Sequence, residues 1–185
     1  MRYREASRED AAAIADLHAE SWRDGAQGQV ISDDFVTGPL YDDRRAVWVE
    51  RMSSPPPNQY VILAEEDAEL VGFACAYGAD DQRWGTLLDN LHVRSDRRGD
   101  GVGQRLLVAI VEWCCVNYPN AGLYLWVLER NVRARRLYER LGAADEGGDV
   151  WHAPGGGSAP CRRYAWTSEG MAAIPSLART RIAEA

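Results

Sequence analysis

The 185-residue chain contains no apolar run long enough to span a bilayer, and its first residues lack the basic-then-apolar pattern of a secretory signal. We therefore expect a cytoplasmic protein without a membrane partner. Cysteine is sparse, with four residues, and no Cys-x-x-Cys spacing occurs. Cys114 and Cys115 are adjacent on a predicted helix and poorly placed to bridge each other. We expect neither a disulfide framework nor a bound metal.

Basic residues are in the minority. The formal net charge is −7 and the sequence pI about 5.0, whereas a nucleic-acid-binding domain usually needs a basic face. The composition argues against a nucleic-acid partner, and an acidic surface favours the approach of cationic molecules. With 46% hydrophobic residues, the chain is long enough for one domain with a buried core.

Hydrophobic periodicity predicts a mixed α/β order of elements. The segment Ser7-Arg8-Glu9-Asp10 is typical of a capping box before the first helix. Most of 24–39 is expected to be loop, with a short helix at 33–36. The helix at 101–117 is expected to bury both adjacent cysteines. Three other helices are expected: the first helix, which extends to Trp22, one over 40–52, and one between Asn131 and Gly142. Strands are expected at 2–6, 60–64, 70–77, 84–93 and 123–128, and in a final pair around the glycine-rich turn at 153–160.

The most informative stretch runs from Leu91 to Leu107 and predicts an anion site. It passes from an apolar strand through an Arg/Gly-rich turn into an amphipathic helix. Glycines let the backbone approach a ligand closely, and a helix N-terminus presents unpaired N–H groups to negative charge. A diphosphate-bearing ligand fits, because the arginines of this stretch outnumber its aspartates: Arg94, Arg97, Arg98 and Arg105 against Asp96 and Asp100.

Two common phosphate motifs are absent from this stretch. The third glycine of Gly-x-Gly-x-x-Gly would fall on Gln104 or Leu106, and the Gly-Lys-Ser/Thr of a P-loop does not occur. What is present is Arg98-x-x-Gly101-x-Gly103. It resembles the Gln/Arg-x-x-Gly-x-Gly/Ala signature of the GCN5-related N-acetyltransferase (GNAT) superfamily. A glycine-rich turn before a core helix would explain the glycines but not the arginines.

A second element follows at a suitable distance. The segment from Asn131 to Gly142 resembles the family's Asn-x-x-Ala-x-x-Leu/Phe-Tyr-x-x-x-Gly-Phe element, with Ala143 in place of the usual phenylalanine. Its residues also predict a helix without that comparison, because Asn131 suits an N-cap and Gly142 a C-terminal stop. Apolar residues recur between them at helical spacing: Ala134, Leu137, Tyr138 and Leu141.

The resemblance covers about residues 2–166 and implies the GNAT fold, a central, mostly antiparallel sheet splayed between its fourth and fifth strands and flanked by helices. We expect one domain over 1–167 and a C-terminal extension of unknown role at 168–185. The resemblance also implies acetyl-CoA as co-substrate, with the pantetheine arm along the strand and the pyrophosphate in the turn. The residues it implies for cofactor binding are Leu91, Val93, Arg98, Gly99, Gly101, Val102, Gly103, Gln104 and Asn131.

For catalysis, the resemblance implies that Tyr138 donates a proton to the CoA sulfur, a role for which a phenol suits because it stays protonated at neutral pH. The alternative is that Tyr138 is only a core aromatic.

Leu87 aligns with the glutamate of histone-modifying relatives and cannot act as a base. Asp89 is the candidate base, acting through water, or else it pairs with an arginine. His92 faces the other side of the strand from its neighbours and is expected to be packed or at the surface.

The resemblance places the acceptor site between the first two helices and the fourth strand. Trp22, Phe35 and Tyr77 are candidate lining residues, although aromatics at such positions are more often part of the core. We expect direct attack by a primary amine in a ternary complex, because Cys114 and Cys115 are predicted to face the core. A CoA-binding sensor without catalysis is the alternative. A homodimeric scaffold is a third reading, based only on common family behaviour. The acceptor itself stays open.

Overall fold

The computed structural model describes residues 1–25 and 30–182. Part of the predicted loop, at 26–29, and the end of the predicted extension, at 183–185, lie outside the described residues. The strands are β1 (Arg2–Glu5), β2 (Gln59–Glu66), β3 (Glu69–Asp81), β4 (Gly85–Val93), β5 (Leu123–Leu128), β6 (Ala144–His152) and β7 (Ser158–Trp166). The helices are α1 (Ala11–Asp24), α2 (Asp33–Thr37), α3 (Leu40–Ser53), α4 (Val102–Asn117), α5 (Val132–Arg140) and α6 (Ser168–Ile182).

The strands form one sheet in the order β1-β2-β3-β4-β5-β7-β6, antiparallel except for the β4–β5 pair. Alternate residues of β3 point to opposite faces, as a pleated strand requires. Phe73 and Cys75 pack with residues of α1 and α3, whereas Ala74 and Ala76 pack with residues of α4. The sheet is therefore covered on both faces, which confirms the predicted fold class.

The fourth and fifth strands separate soon after they meet. They pair only at Thr86 with Leu123 and at Leu87 with Tyr124, and from there they diverge. The predicted splay is therefore present. On its other side β4 carries a bulge, because Cys75 pairs with Asn90 and Ala76 with Leu88, and Asp89 is left as the extra residue. The splay leaves the β5-facing edge of β4 unpaired beyond Leu87, and the bulge interrupts the pairing of β4 with β3 at Asp89.

Several local predictions are confirmed at helix ends. The Ser7 N–H donates to the Asp10 carboxylate at 2.7 Å, in a short 3-10 turn that leads into α1. At α5, Asn131 Oδ1 accepts from the Ala134 N–H at 3.3 Å, and Gly142 has the positive φ of 84° that suits a helix stop.

The prediction that α4 buries both of its cysteines is wrong for one of them. Cys114 is buried, but Cys115 is exposed, because one residue of rotation carries it about 100° around the helix and off the apolar face.

The segment predicted as an extension forms α6 and packs on α4. Met171, Ile174 and Ala178 are buried, and the Gln104 side chain donates to the Ala178 carbonyl at 2.9 Å. The domain boundary near residue 167 stays a prediction. Among the helices of the described residues, none combines the length and the apolar character that crossing a membrane would need.

Candidate active site

Two cavities meet where β4 and β5 separate. The first, here the cleft, has a volume of about 510 Å³ and lies among α1, α3, β4, β5, β6 and β7. The second, here the groove, has a volume of about 370 Å³ and lies between the turn before α4 and the helix α5. The two cavities share four of their lining residues: Leu91, His92, Asn131 and Tyr138. A molecule bound in the groove would meet one bound in the cleft at these residues.

The floor of the groove is a row of free backbone donors. Gly101 caps α4 with a left-handed φ of 80°, and the first helical bond there is from the Arg105 N–H to the Gly101 carbonyl, at 3.0 Å. The N–H groups from Gly99 through Gln104 donate to no acceptor within the described residues. Among the described residues, no other heavy atom lies within 4 Å of where a Gly101 Cβ would stand. The turn therefore has the open space and the free donors that an anion would need.

Two of the four arginines that the sequence offered for this anion site are engaged elsewhere. Arg94 pairs with Asp96 at 2.7 Å and with Glu69 at 3.0 Å. Arg97 forms a salt bridge with Glu66, although it does line the groove. The predicted positive charge of the turn is thus partly neutralised by the neighbouring β2–β3 hairpin.

Other arginines supply charge to the groove. Arg98 lines it and donates to the Val93 carbonyl at 3.3 Å. Arg133 and Arg140, from α5, line the opposite wall, and the Arg133 guanidinium lies 3.8 Å from where a Gly99 Cβ would stand. Sequence reasoning gave no role to these two residues, because both fall on positions that their motif leaves unspecified. Asp100, whose carboxylate would repel a bound anion, is not among the residues that line the groove.

The free edge of β4 forms the inner wall of the groove. The Arg94 N–H donates to the Val71 carbonyl on β3 at 2.9 Å. Because backbone groups alternate along a strand, those of Leu91 and Val93 point the other way, to the edge that β5 leaves unpaired. An extended ligand can pair with this edge as another strand would.

Tyr138 lies where the two cavities join. It is 7% exposed and packs against Trp166 and Tyr164, with ring centroids 6.0 and 6.1 Å away. No described residue forms a hydrogen bond with its hydroxyl. Burial raises the pKa of the phenol, so it stays protonated at neutral pH. It can therefore donate a proton into the site.

The sequence led us to expect a packed or surface histidine at position 92. In the structure, His92 lines both cavities. Its ring lies 4.6 Å from that of His18, on α1, and 5.3 Å from Phe73. Burial, with Arg98 and Arg44 nearby, lowers the pKa of His92 to about 4. No described residue forms a hydrogen bond with either of its ring nitrogens, so a neutral imidazole is open to a ligand.

His18 is the second histidine of the cleft, and sequence reasoning assigned it no function. It is 1% exposed, and its Nδ1 accepts from the Trp48 indole at 2.9 Å. Burial lowers the pKa of His18 well below its usual value, with contributions from His92, Arg44 and Arg51. The neutral ring therefore carries its proton on Nε2, which is buried and has no partner among the described residues.

Asp89 lies on the cleft wall, but it is not a free carboxylate. Arg51, on α3, donates to it at 2.6 Å and to Asn90 at 3.2 Å. The bulge turns both side chains toward α3. The structure thus contains the arginine pairing that was the alternative to a role as base.

Of the predicted acceptor residues, Trp22 lines the cleft and Phe35 and Tyr77 do not. Phe35 packs against the turn before β7, where a Gly155 Cβ would stand only 2.3 Å from its ring. Tyr77 lies behind Arg51, whose guanidinium is 5.9 Å from the phenol ring. Tertiary packing thus removes two of the three aromatics from the site.

One cysteine lies in the cleft, and sequence reasoning did not consider it. Cys161, on β7, is buried, lines the cleft and donates to the Asp149 carbonyl at 3.4 Å. Burial raises the pKa of its thiol, which keeps it protonated and a weak nucleophile.

Sequence reasoning also gave no site role to Arg44, Arg51 and Trp151, which line the cleft. One signal could have found Arg44. It is the charged member of an otherwise apolar stripe on α3, all of which is buried: Leu40, Arg44, Trp48 and Met52.

Comparisons with known proteins show which family the chain belongs to. Residues 12–143 match the acetyltransferase (GNAT) family. The spermine/spermidine N(1)-acetyltransferase of Bacillus subtilis is 31% identical over 81 residues, 41% of this chain and 53% of that protein, so the match spans about half of the relative's length. A probable N-acetyltransferase of Mycobacterium tuberculosis is 26% identical over 76% of this chain and 78% of its own. A solved acetyltransferase from Salmonella typhimurium, with acetyl-CoA as its cofactor, has a TM-score of 0.64 at 19% identity, covering 91% of this chain and 94% of its own.

Proposed function

Because the chain belongs to the acetyltransferase (GNAT) family, we propose that it transfers the acetyl group of acetyl-CoA to a primary amine by direct attack in a ternary complex. The observation that carries this proposal is the junction of cleft and groove at Leu91, His92, Asn131 and Tyr138. Holding both substrates at one junction makes their reaction effectively unimolecular.

Acetyl-CoA supplies an activated acetyl thioester, and the groove fits it. The free N–H groups from Gly99 to Gln104 would hold its pyrophosphate, with Arg98 and Arg133 beside them. The open backbone groups of Leu91 and the Val93 N–H would pair with its pantetheine amides, whereas the Val93 carbonyl already accepts from Arg98. Asn131 already caps α5 through Oδ1, and its position at the junction also suits contact with the pantetheine.

The chemistry needs two proton transfers. As the amine nitrogen bonds to the acetyl carbon and the carbon–sulfur bond breaks, the nitrogen gives up a proton and the sulfur takes one. Tyr138 donates to the departing sulfur, because its buried phenol is protonated and free of other partners. His92 receives the amine proton, because it faces the junction with a neutral ring.

Asp89 is the competing base, and paired substitutions separate the two. We expect His92→Gln to lower kcat by about tenfold to a hundredfold, and Asp89→Asn to change it by less than about threefold, because Asp89 is already engaged by Arg51. The reverse ranking would assign the base to Asp89. Acetyl-CoA affinity, measured for both variants by calorimetry, controls for damage to the groove.

The proposal is tested by thiol release from acetyl-CoA across a panel of amines that includes polyamines, aminoglycosides, amino acids and Lys-containing peptides. The name of the B. subtilis relative makes spermidine one necessary member. The chain contains no lysine, so acetylation of its own side-chain amines adds no background. Turnover with any amine would support the proposed acetyltransferase activity. Tight acetyl-CoA binding without turnover on any member would instead support the CoA-binding sensor.

A further inference from the structure

Arg44 is an unusual residue for the wall of a cleft. Its side chain is only 10% exposed, and its guanidinium lies over the Trp22 ring, 4.3 Å from the centroid. Its carboxylate partner is its own chain neighbour Asp43, bound through Nε at 2.8 Å and through Nη2. Nη1 has no hydrogen-bond partner in the part of the chain that the structure describes. A nearly buried cation with an unused donor therefore faces the cleft.

The salt bridge to Asp43 offsets part of the Arg44 charge, and the two carboxylates that line the cleft, Asp89 and Asp149, add nothing to it. Asp89 is paired with Arg51. Asp149 lies on an exposed stretch of β6, where it accepts from the Val150 N–H at 2.7 Å. The wall therefore has no unpaired, buried carboxylate of the kind that would hold a polyamine. This differs from the protein as a whole, whose net charge is −7.

The charge of Arg44 reaches the junction where the amine would react. It contributes to the lowered pKa of both His18 and His92. The same field disfavours a second ammonium group in the cleft and favours an anionic one. It also favours the neutral form of the attacking amine, which is the form that reacts.

Building on the proposed function, we infer that the acceptor is a small amine that also carries a carboxylate, of the amino-acid class, and that Arg44 binds this carboxylate. A planar guanidinium is suited to carboxylate recognition. Trp22 and Trp151, in edge-to-face contact at 5.6 Å, provide apolar surface for the rest of the acceptor.

The first experiment uses the wild-type protein. Thiol release from acetyl-CoA is measured with the proteinogenic L-amino acids, the amide of each, the matching decarboxylated amines, and spermidine. We expect kcat/KM for at least one amino acid to exceed that for its own amide and amine by about tenfold or more, since a hydrogen-bonded charge pair is lost in both analogues. Amides, amines or spermidine that equal or exceed every acid would overturn the inference and leave the proposed function standing. No turnover on any of these acceptors would overturn the inference, and only silence on the wider amine panel as well would overturn the proposed function.

The second experiment assigns the carboxylate to Arg44. We expect Arg44→Gln to raise KM for the preferred acid by about tenfold to a hundredfold, with a smaller change in kcat and none in KM for the matching amide. Arg45→Gln is the control, because Arg45 is the next residue on α3 but is exposed and pairs with Asp16 at 3.0 Å. Equal KM increases for acid and amide would refute the assignment.

Arg44→Lys covers the case in which the glutamine variant does not fold. It keeps the charge and much of the apolar stem, but not the planar fork. We expect KM for the acid to rise several-fold while KM for the amide stays unchanged. A KM for the acid unchanged from wild type, in a folded Arg44→Lys protein, would contradict recognition by the guanidinium.

Discussion

The groove and the cleft meet at one junction, yet they are built in different ways. The floor of the groove is backbone from one short segment, the turn and first residues of α4 between Gly99 and Gln104. The cleft is side chains from distant parts of the chain, such as His18 on α1, Arg44 on α3 and Trp151 on β6. A ligand held by backbone donors leaves a local signature in the sequence, whereas a ligand held by assembled side chains does not.

The largest expected effect is at the junction. Tyr138→Phe should lower kcat by about a hundredfold or more and leave acetyl-CoA affinity unchanged, because it removes the proton donor but keeps the ring. Thiol release and calorimetry measure the two quantities. Tyr164→Phe is a matched control, since that phenol bonds to Arg135 and Glu139 and is outside both cavities. Equal kcat for Tyr138→Phe and wild type would mean that another group protonates the sulfur.

The next largest effect tests the backbone donors of the groove. Gly101→Leu should weaken acetyl-CoA binding by about tenfold or more, because it strains the left-handed cap and puts a side chain beside the free donors. Gly142→Leu is the control, since Gly142 has a similar φ of 84°, also has nothing within 4 Å of an added Cβ, and lies outside the groove. The two variants should lose similar stability. Similar acetyl-CoA affinities, by calorimetry, would refute the pyrophosphate assignment.

A smaller effect tests the charged side chains on the α5 wall of the groove. Arg133→Gln should weaken acetyl-CoA binding by about threefold to tenfold, and by less at high salt, because exposed charges are screened. Arg136→Gln, on an exposed position of the same helix, should leave affinity unchanged. If both variants bind as wild type does at low salt, Arg133 does not contact the cofactor phosphates.

The smallest effect concerns the cleft and its pH dependence. The folded pKa values of His18 and His92 lie below the usual 6.5 of an unfolded histidine, that of His92 at about 4. As the pH falls from about 6.5 toward 4, the unfolded chain takes up protons that the folded chain does not, so the free energy of unfolding should fall. We expect a loss of about 1 kcal/mol per pH unit for each buried histidine.

Denaturant unfolding between pH 7.5 and pH 4.5 measures this slope. His92→Gln should reduce it, because one of the two contributing rings is removed. A slope that is the same in the variant and the wild type would mean that His92 is not held in its neutral form.

Much of the fold followed from local pattern. The capping box at Ser7, the N-cap at Asn131 and the stop at Gly142 involve residues within a few positions of one another, so the sequence displays each in full. Cys115 was misassigned because a pattern read as one apolar stripe did not resolve a single residue of rotation. Arg94 and Arg97 were read as ligand-binding because their acidic partners lie on a hairpin distant in sequence.

The sequence by itself determined the groove, because a glycine turn, a helix start and a strand edge are local structures that adjacent residues specify. Only the tertiary structure decided which side chains line the cleft. It removed Phe35 and Tyr77 from the site, paired Asp89 with Arg51, and brought His18 beside His92 and Arg44 over Trp22. The physical reason is that burial and long-range packing set the charge and exposure of these side chains, and neither is a property of neighbours in the chain.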